Sequence, residues 1–448
     1  MSAKEMLENE RSALAELWER DIVKVAAVLG ALYFAYIIAG LLLGFEVRGQ
    51  INAVAQLTFY IGVFSLLALA LNLHWGYTGL FNIGIAGFMA VGIYTMAMVS
   101  KPIAAEGGAA SVGGLGLPIW VGILAGMAAA ALLGFIVALP ALKLRADYLA
   151  IVTIAFSEIV RFGYLSGTFQ NITLFGYETG TGGGSGLILN FKDPLQALLE
   201  TLFLWDAYLG VVSAFTVVVP ENPKPVVDGL AYGVLLLVFV GLFYWLLQRT
   251  GESPFGRVLK AIREDEDAAN ALGKNTNRFK IKSFMLGCAL MGLGGILWLM
   301  STGAVTPNFF LPRITFYVWI ALIIGGAGSN TGSVLGGAVF AAVLFQGPLY
   351  VKNLLDAALD IPSRGPPDFG QAIGPLFSSL DPMPFIVYTL NSINTLQLVF
   401  MGIVLIWLMH NRPEGMLGHR KEIAASIDLG RPETTKKPTA TDGGETNE

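Results

Sequence analysis

Long runs of apolar residues constrain the fold of this chain more than any other feature of its sequence. Runs of about 20 such residues recur along the chain, and a helix of that length crosses the ~30 Å hydrocarbon core of a bilayer. Charged residues make up only 13% of the 448 residues, about half of the ~25% found in soluble domains. The chain is therefore predicted to fold in lipid, as an all-α polytopic membrane protein.

Hydropathy and helix-breaking residues together predict about ten transmembrane helices. The apolar stretch Thr315–Gln346 would extend ~48 Å as one helix, which is far more than a single crossing needs. Its centre, GGAGSNTGS, breaks helices, so the stretch is predicted to form a glycine-interrupted pair of helices joined by a tight turn. The ten predicted spans are Val23–Phe45, Ile51–Leu73, Leu80–Val99, Leu117–Leu139, Tyr148–Gly167, Asp228–Leu247, Ser283–Ser301, Arg313–Ala327, Thr331–Val351 and Phe385–Met409.

The distribution of basic residues orients these spans. With a cytoplasmic N-terminus, 20 of the 28 Lys and Arg residues fall in predicted cytoplasmic segments and seven in external ones. This bias follows the positive-inside rule. We therefore expect a multi-pass protein of the cell membrane with both termini in the cytoplasm.

The predicted organisation is one transmembrane domain over residues 23–420, which contains a charged cytoplasmic loop at 249–282. A cytoplasmic N-terminal lead, residues 1–22, precedes it. Residues 421–448 follow it as a tail that is predicted to be disordered, because it is rich in Thr, Pro, Gly and Glu.

Two external insertions, residues 168–227 and 352–384, interrupt the predicted spans. The first contains the apolar run Ala207–Val219, which is too short to cross a bilayer and is interpreted as a re-entrant or interfacial piece. It also contains the glycine-rich run Thr179–Gly186, which is interpreted as a flexible loop.

The sequence lacks the motifs of several kinds of catalytic and binding sites. The pair Gly273-Lys274 is followed by Asn275 and lacks the preceding glycine of a P-loop, so no nucleotide site of that kind is predicted. Three scattered histidines and the single cysteine, Cys288, predict neither a metal cluster nor a disulfide. No long basic block is present to bind nucleic acid. We expect neither enzymatic activity nor a cofactor in this chain.

The most distinctive motif lies in the charged loop, in the sequence IREDEDAANALG. Asp267-Ala268-Ala269 followed by Gly273 gives the pattern [DE]-A-A-x-x-x-G on a predicted short helix. Small alanines allow a partner to approach closely, and the glycine suits a left-handed helix cap. The alternative is a solvated loop whose charges only follow the positive-inside rule, and spacing alone favours that alternative because short patterns recur by chance.

Polar residues inside the predicted spans form a second set of candidates. Glu158 and Arg161 lie three residues apart, hence on one helix face. They either neutralise each other within the helix packing or, with Ser157, face a translocation path where a zwitterion would meet both charges. Asn72 and Asn82 bound a polar, glycine-containing interruption that forms either unwound backbone at such a path or a cytoplasmic turn.

Five stretches, in order along the chain, resemble the permease family of ABC importers for branched-chain amino acids. Where that family usually has Leu-Ser-Leu-Gly-His, this chain has Phe81-Asn82-Ile83-Gly84-Ile85. The five stretches are LNLHWGYTGLFNIGIAGFMAVGIYT (Leu71–Thr95), LKLRADYLAIVTIAFSEIVR (Leu142–Arg161), GRVLKAIREDEDAANALGKNTNRFKIKSF (Gly256–Phe284), GGAGSNTGSVLGGAVF (Gly325–Phe340) and RPEGMLG (Arg412–Gly418).

The resemblance implies a permease subunit that pairs with a homologous sister permease, two cytoplasmic ATPase subunits that hydrolyse the ATP, and an external substrate-binding protein. Import of urea or short amides is an alternative, since those permeases share the motifs. A secondary transporter or a subunit of an ion-pumping complex is an alternative of another class, and it would need several intramembrane acids or lysines in relay. The resemblance implies that the residues coupling the chain to the ATPase are Arg263, Glu264, Glu266, Asp267, Ala268, Ala269 and Gly273.

Overall fold

The computed structural model describes residues 21–103, 112–141, 146–174, 176–189, 194–359, 365–411 and 415–416. Most of the predicted N-terminal lead, the predicted disordered tail and most of the Arg412–Gly418 stretch lie outside the described residues. The helices are α1 Asp21–Leu42, α2 Val47–Asn72, α3 Ile85–Ser100, α4 Ile119–Ala141, α5 Ala146–Leu165, α6 Pro194–Thr201, α7 Trp205–Phe215, α8 Lys224–Glu252, α9 Pro254–Glu264, α10 Glu266–Ala271, α11 Thr276–Leu299, α12 Pro312–Gly325, α13 Asn330–Val339, α14 Gly347–Leu359, α15 Phe369–Ser378, α16 Met383–Asn391 and α17 Ile393–Asn411.

The all-α class is confirmed, but the number of full-length spans is lower than the ten predicted. In the described part of the chain, seven helices are long and apolar enough to cross a membrane. They become eight if α16 and α17, which meet at an 80° bend, count as one span. The other two predicted spans correspond to the shorter apolar helices α3 and α12.

Helix α3 is short because the chain before it, residues 79–84, is irregular rather than helical. Helix α2 ends in a π-helical turn, Leu73–Tyr77, and α3 begins only at Ile85, so its 16 residues extend ~24 Å. Every residue from Ile85 to Tyr94 is buried within the protein. The helix therefore lies in the protein interior and does not form a lipid-facing span.

Helix α12 is short because glycines end it, as the GGAGSNTGS motif predicts. Gly326 and Gly328 have φ angles of +98° and +92°, a conformation that side chains with a Cβ atom rarely adopt. Helix α13 then begins at Asn330, with the Ser329 hydroxyl accepting a hydrogen bond from the Gly332 amide (3.0 Å). The predicted glycine-interrupted pair is confirmed, and α13 continues through a π-helical segment, Phe340–Gln346, into α14.

Three glycines let α3, α4 and α11 approach one another at backbone distance. A Cβ atom at Gly92 would lie 2.4 Å from the carbonyl oxygen of Gly292, and one at Gly126 would lie 2.4 Å from that of Gly92. Such contacts exclude any side chain larger than hydrogen. We call Gly92, Gly126 and Gly292 the glycine seam.

The glycine-rich run Thr179–Gly186 is not the exposed flexible loop that its composition predicts. Residues 179–183 are buried, and the Thr181 hydroxyl donates a hydrogen bond to the Phe169 carbonyl (3.0 Å). The run follows the hairpin of β1 (Ile172–Leu174) and β2 (Tyr177–Thr179) and leads into β3 (Leu187–Ile188). Strand β3 pairs with β4 (Ala304–Val305), which fixes the run at the end of α11 remote from α10.

Between residues 194 and 215 the first predicted insertion forms two short helices, α6 and α7. Helix α7 covers most of the apolar run Ala207–Val219 but has only 11 residues, which is too short to cross a bilayer.

Replacing Gly92 by leucine is expected to destabilise the protein, because the side chain has no space in the glycine seam. Overpacking of this kind costs on the order of 1–3 kcal/mol. The melting temperature of the detergent-purified protein measures the effect. Gly241→Leu is the control, since nothing lies within 4 Å of a Cβ atom at Gly241 on the exposed side of α8. Equal melting temperatures for the two variants would contradict the role of the seam.

Candidate functional site

The charged loop folds as two helices at a sharp bend. Ser253 caps α9 by accepting a hydrogen bond from the Gly256 amide (3.2 Å), and Pro254 occupies the first turn, where no amide donor is needed. Asp265 adopts an extended conformation, ends α9 and caps α10 through the Ala268 amide (2.9 Å). The predicted short helix is thus present, but Asp265 separates it from the helix that carries Arg263 and Glu264.

One face of α10 is attached to the start of α11. Glu266 forms an ion pair with Lys280 (2.6 Å), whose side chain is buried, and accepts a hydrogen bond from the Thr276 hydroxyl (3.0 Å). The same hydroxyl lies 3.0 Å from Asn270 Oδ1, and Ala269 is buried beside them. Two of the predicted coupling residues, Glu266 and Ala269, therefore face this protein.

The opposite face of α10 is exposed and largely apolar. Ala268, Ala271 and Leu272 are spaced three and four residues apart and thus share one face. All three are exposed, and the Leu272 side chain is 80% exposed. We call these three residues the apolar patch. Sequence reasoning singled out Ala268 but missed Leu272, although a lone leucine before a helix-ending glycine in a charged loop was a signal for it.

Three further predicted coupling residues lie around the apolar patch. Asp267 and Glu264 are exposed beside it. Gly273 ends α10 with a φ of +77°, and a Cβ atom there would meet nothing within 4 Å. Gly273 is therefore required by the backbone conformation and not by close packing, as the predicted left-handed cap implies.

Arg263, the last predicted coupling residue, points toward the membrane helices. Its Nη1 donates a hydrogen bond to the carbonyl of Gly76 in the π-helical turn after α2. Its Nε also donates to Glu264 Oε1 (3.1 Å). The side chain is 34% exposed, so it is part of the contact between α9 and the end of α2.

Asn72 joins the end of α2 to the turn between α12 and α13. Its Nδ2 donates to Asn330 Oδ1 (3.0 Å), and its Oδ1 accepts from the Gly328 amide (2.7 Å). The side chain is fully buried, and it satisfies the Gly328 amide, which the break between α12 and α13 leaves without a helical partner. Its place on a translocation path stays a prediction.

Asn82 lies at the centre of the hydrogen bonds in the irregular segment before α3. Its Oδ1 accepts from the Gly84 amide (2.8 Å), and its carbonyl accepts from Trp319 Nε1 (3.0 Å). Its Nδ2 lies 3.1 Å from Nδ1 of His74, and Nε2 of His74 lies 3.0 Å from the Phe284 carbonyl. This arrangement fits a neutral imidazole whose Nε2 carries the hydrogen. The path-lining role of Asn82 also stays a prediction.

The candidates on α5 point in different directions. Ser157 is buried against α3, where a Cβ atom at Gly87 would lie 2.8 Å from Ser157 Cα, and its hydroxyl has no hydrogen-bond partner among the described residues. Glu158 accepts hydrogen bonds from both Nε and Nη2 of Arg161, with Nη2 2.6 Å from Oε2. The guanidinium also lies 4.4 Å from the centre of the Phe162 ring. The predicted pair is formed, and the Glu158 side chain is 26% exposed at the surface of the bundle.

One family model and several individual proteins match this chain, and they agree with each other. Residues 53–409 match the family model for the branched-chain amino acid transport system permease component. The chain is 33% identical over 293 residues to the high-affinity branched-chain amino acid transport system permease protein LivM of Escherichia coli strain K12. That alignment covers 64% of this chain and 61% of the relative.

Two more distant relatives extend the comparison. A probable branched-chain amino acid transport permease protein LivM of Methanocaldococcus jannaschii is 28% identical over 345 residues, which cover 70% of this chain and 86% of that protein. The nucleoside ABC transporter permease protein NupC of Lactococcus lactis is 23% identical over 297 residues, which cover 64% and 78%. No solved structure matches the chain.

The matched segment contains most of the described helices, from within α2 to within α17, together with the α9–α10 loop. The chain therefore belongs to the family of branched-chain amino acid transport system permease components.

Proposed function

We propose that this chain is the membrane-spanning permease subunit of an ATP-driven importer for branched-chain amino acids. The observation that carries the proposal is the α9–α10 loop, which connects two long apolar helices and presents an apolar patch away from them. Ala268, Ala271 and Leu272 are exposed together on one face of a charged loop, and this grouping supports a protein contact there more than a single exposed leucine would.

The partners follow from this proposal. A homologous sister permease would complete the membrane channel, two ATPase subunits would bind the α9–α10 loops and hydrolyse ATP, and an external binding protein would deliver substrate. This chain would hold no cofactor of its own. Relatives named as LivH permeases, matched over 19–22% of this chain, support a pair of related permeases. The bias of basic residues supports placing both termini and the α9–α10 loop in the cytoplasm of a cell with an inner or plasma membrane.

The apolar patch would bind the ATPase in helix-in-groove fashion. Ala268 and Ala271 let the two surfaces approach closely, and Leu272 fills a pocket as an apolar anchor. Asp267 and Glu264 would pair with basic residues at the rim. Glu266 and Ala269 would act indirectly, because they hold α10 against α11 and thereby fix the direction in which the patch faces.

Leu272→Asp is expected to release the ATPase subunits while the permease stays folded. A charge replaces the apolar anchor at a position that is 80% exposed, so binding should weaken by at least the ~2 kcal/mol that marks a binding hot spot. Co-purification of the ATPase with the tagged permease measures this. The matched control is Leu380→Asp, since Leu380 is 84% exposed and lies outside the loop. Full retention of the ATPase by Leu272→Asp would contradict the docking surface.

The Glu158–Arg161 pair would lie on the face of α5 that meets the sister permease and the substrate. A charged pair within a span costs free energy wherever lipid covers it, so protein or a water-filled path is its expected environment. A zwitterionic amino acid carries one charge of each sign and could exchange partners with both side chains. Ser157 would not share this contact, because it is buried against α3 and points in another direction.

An exchange of the two charges distinguishes a pair that only supports helix packing from a pair that contacts the substrate. The double variant Glu158→Arg with Arg161→Glu keeps an i, i+3 pair, so a purely structural pair predicts normal folding and normal uptake. We expect normal amounts of folded protein but strongly reduced uptake, because the order of the charges facing the substrate is reversed. Each single variant leaves a charge unpaired and should reduce folded protein as well. Uptake at the wild-type rate by the double variant would show that the pair contributes only to helix packing.

Uptake by the reconstituted complex tests the function itself. The chain would be co-expressed with its sister permease, ATPases and binding protein, and placed in vesicles with ATP. Accumulation of labelled leucine, isoleucine or valine that requires ATP supports the proposal. Inhibition of this uptake by urea or short amides, or by nucleosides as the name of one relative suggests, would indicate a different substrate. Proton-driven uptake without any ATPase would instead support a secondary transporter and overturn the proposal.

A further inference from the structure

Arg263 occupies a notch between the α9–α10 loop and the membrane helices. Its Nη1 donates to the Gly76 carbonyl. A Cβ atom at Gly79 would lie 3.3 Å from its Cγ, and one at Gly328 would lie 3.3 Å from its Nη1. Two glycines from separate helix breaks, Gly79 and Gly328, therefore leave room for this side chain, and the carbonyl of a third, Gly76, accepts its hydrogen bond.

The notch lies where the helix breaks come together. Gly76 belongs to the π-helical turn after α2, and Gly328 belongs to the turn between α12 and α13. The two turns are joined by Asn72, which bonds to the Gly328 amide. Helix α9 contacts the π-helical turn a second time, through Lys260, whose Nζ lies 5.5 Å from the centre of the Tyr77 ring.

The π-helical turn is also hydrogen-bonded to the segment just before α3, through His74 and Asn82. His74 bridges Asn82 and the Phe284 carbonyl of α11, and its ring stacks on that of Phe284 at 4.8 Å. The Ala86 amide at the start of α3 donates to the Thr315 hydroxyl of α12 (3.1 Å). A displacement of Arg263 would therefore act on the interrupted region of α2, α3 and α12 through consecutive hydrogen bonds.

We propose that Arg263 transmits the movement of the docked α9–α10 loop to the interrupted helices, acting as a positioning residue and not as a contact to the ATPase. This inference rests on the proposed function, because it requires an ATPase that moves the loop. Its basis is geometric: the guanidinium is hydrogen-bonded to the Gly76 carbonyl, whereas the apolar patch that would meet the ATPase lies on the next helix. Removing the guanidinium should therefore uncouple ATP hydrolysis from transport without releasing the ATPase.

The experiment compares Arg263→Gln with wild type in the full reconstituted complex. Two quantities are measured on the same vesicles: the ATPase retained by the permease, and the amino acid transported per ATP hydrolysed. We expect wild-type retention and a fall of the transport ratio by about tenfold or more, the factor that corresponds to losing one charge-assisted hydrogen bond. Arg278→Gln is the control, because Arg278 is an exposed arginine of the same loop region on the first turn of α11.

Each outcome decides the inference. An unchanged transport ratio in Arg263→Gln overturns it, and so does loss of the ATPase, which would make Arg263 a docking residue. If this variant does not fold, Arg263→Lys replaces it. Lysine keeps the charge but lacks the planar fork, so an intermediate ratio with full retention supports the inference and a wild-type ratio overturns it. Absence of ATP-driven transport by the wild type would instead overturn the proposed function, and this inference with it.

Discussion

Hydrogen bonding of the backbone where helices are interrupted within the bundle is the constraint on which the rest of this structure depends. Lipid offers no partner to a free amide or carbonyl, so each break must be satisfied by the protein. Here side chains do this: Asn72 bonds the turn after α12, Asn82 bonds the Gly84 amide, and the hydroxyls of Thr153 and Thr315 bond the amides of Ile83 and Ala86. These polar residues are buried because the breaks require them.

The same constraint explains why the breaks lie together. Asn72, at the end of α2, can bond the turn between α12 and α13 only if the two interruptions lie within its reach, and it bonds to both Gly328 and Asn330 there. The clustering creates a region where several helices end or begin, next to the α9–α10 loop. In the proposed importer this is where a small displacement has the largest effect, since interrupted helices have fewer continuous backbone bonds to resist it.

The sequence predicts the helical class, the long apolar helices, the break in GGAGSNTGS and the Glu158–Arg161 pair, because each depends on local pattern or on spacing within one helix. It does not predict that α3 begins as late as Ile85, since the preceding residues are apolar enough to pass for helix. It also misses the burial of residues 179–183, which depends on tertiary contacts such as the hydrogen bonds of Thr181 to the carbonyls of Tyr164 and Phe169. The direction of Arg263 could not be predicted either, because glycines from two other segments form its notch.

The glycine seam has a mechanical consequence. On α3 the residues one turn before and after Gly92 are Phe88 and Met96, so a translation of α3 along its axis would push a large side chain into a neighbouring backbone. Helices α3, α4 and α11 are therefore locked in register as one rigid block. Opening and closing of the transporter would then require the surrounding helices to rotate relative to this block, because α3, α4 and α11 do not slide past one another.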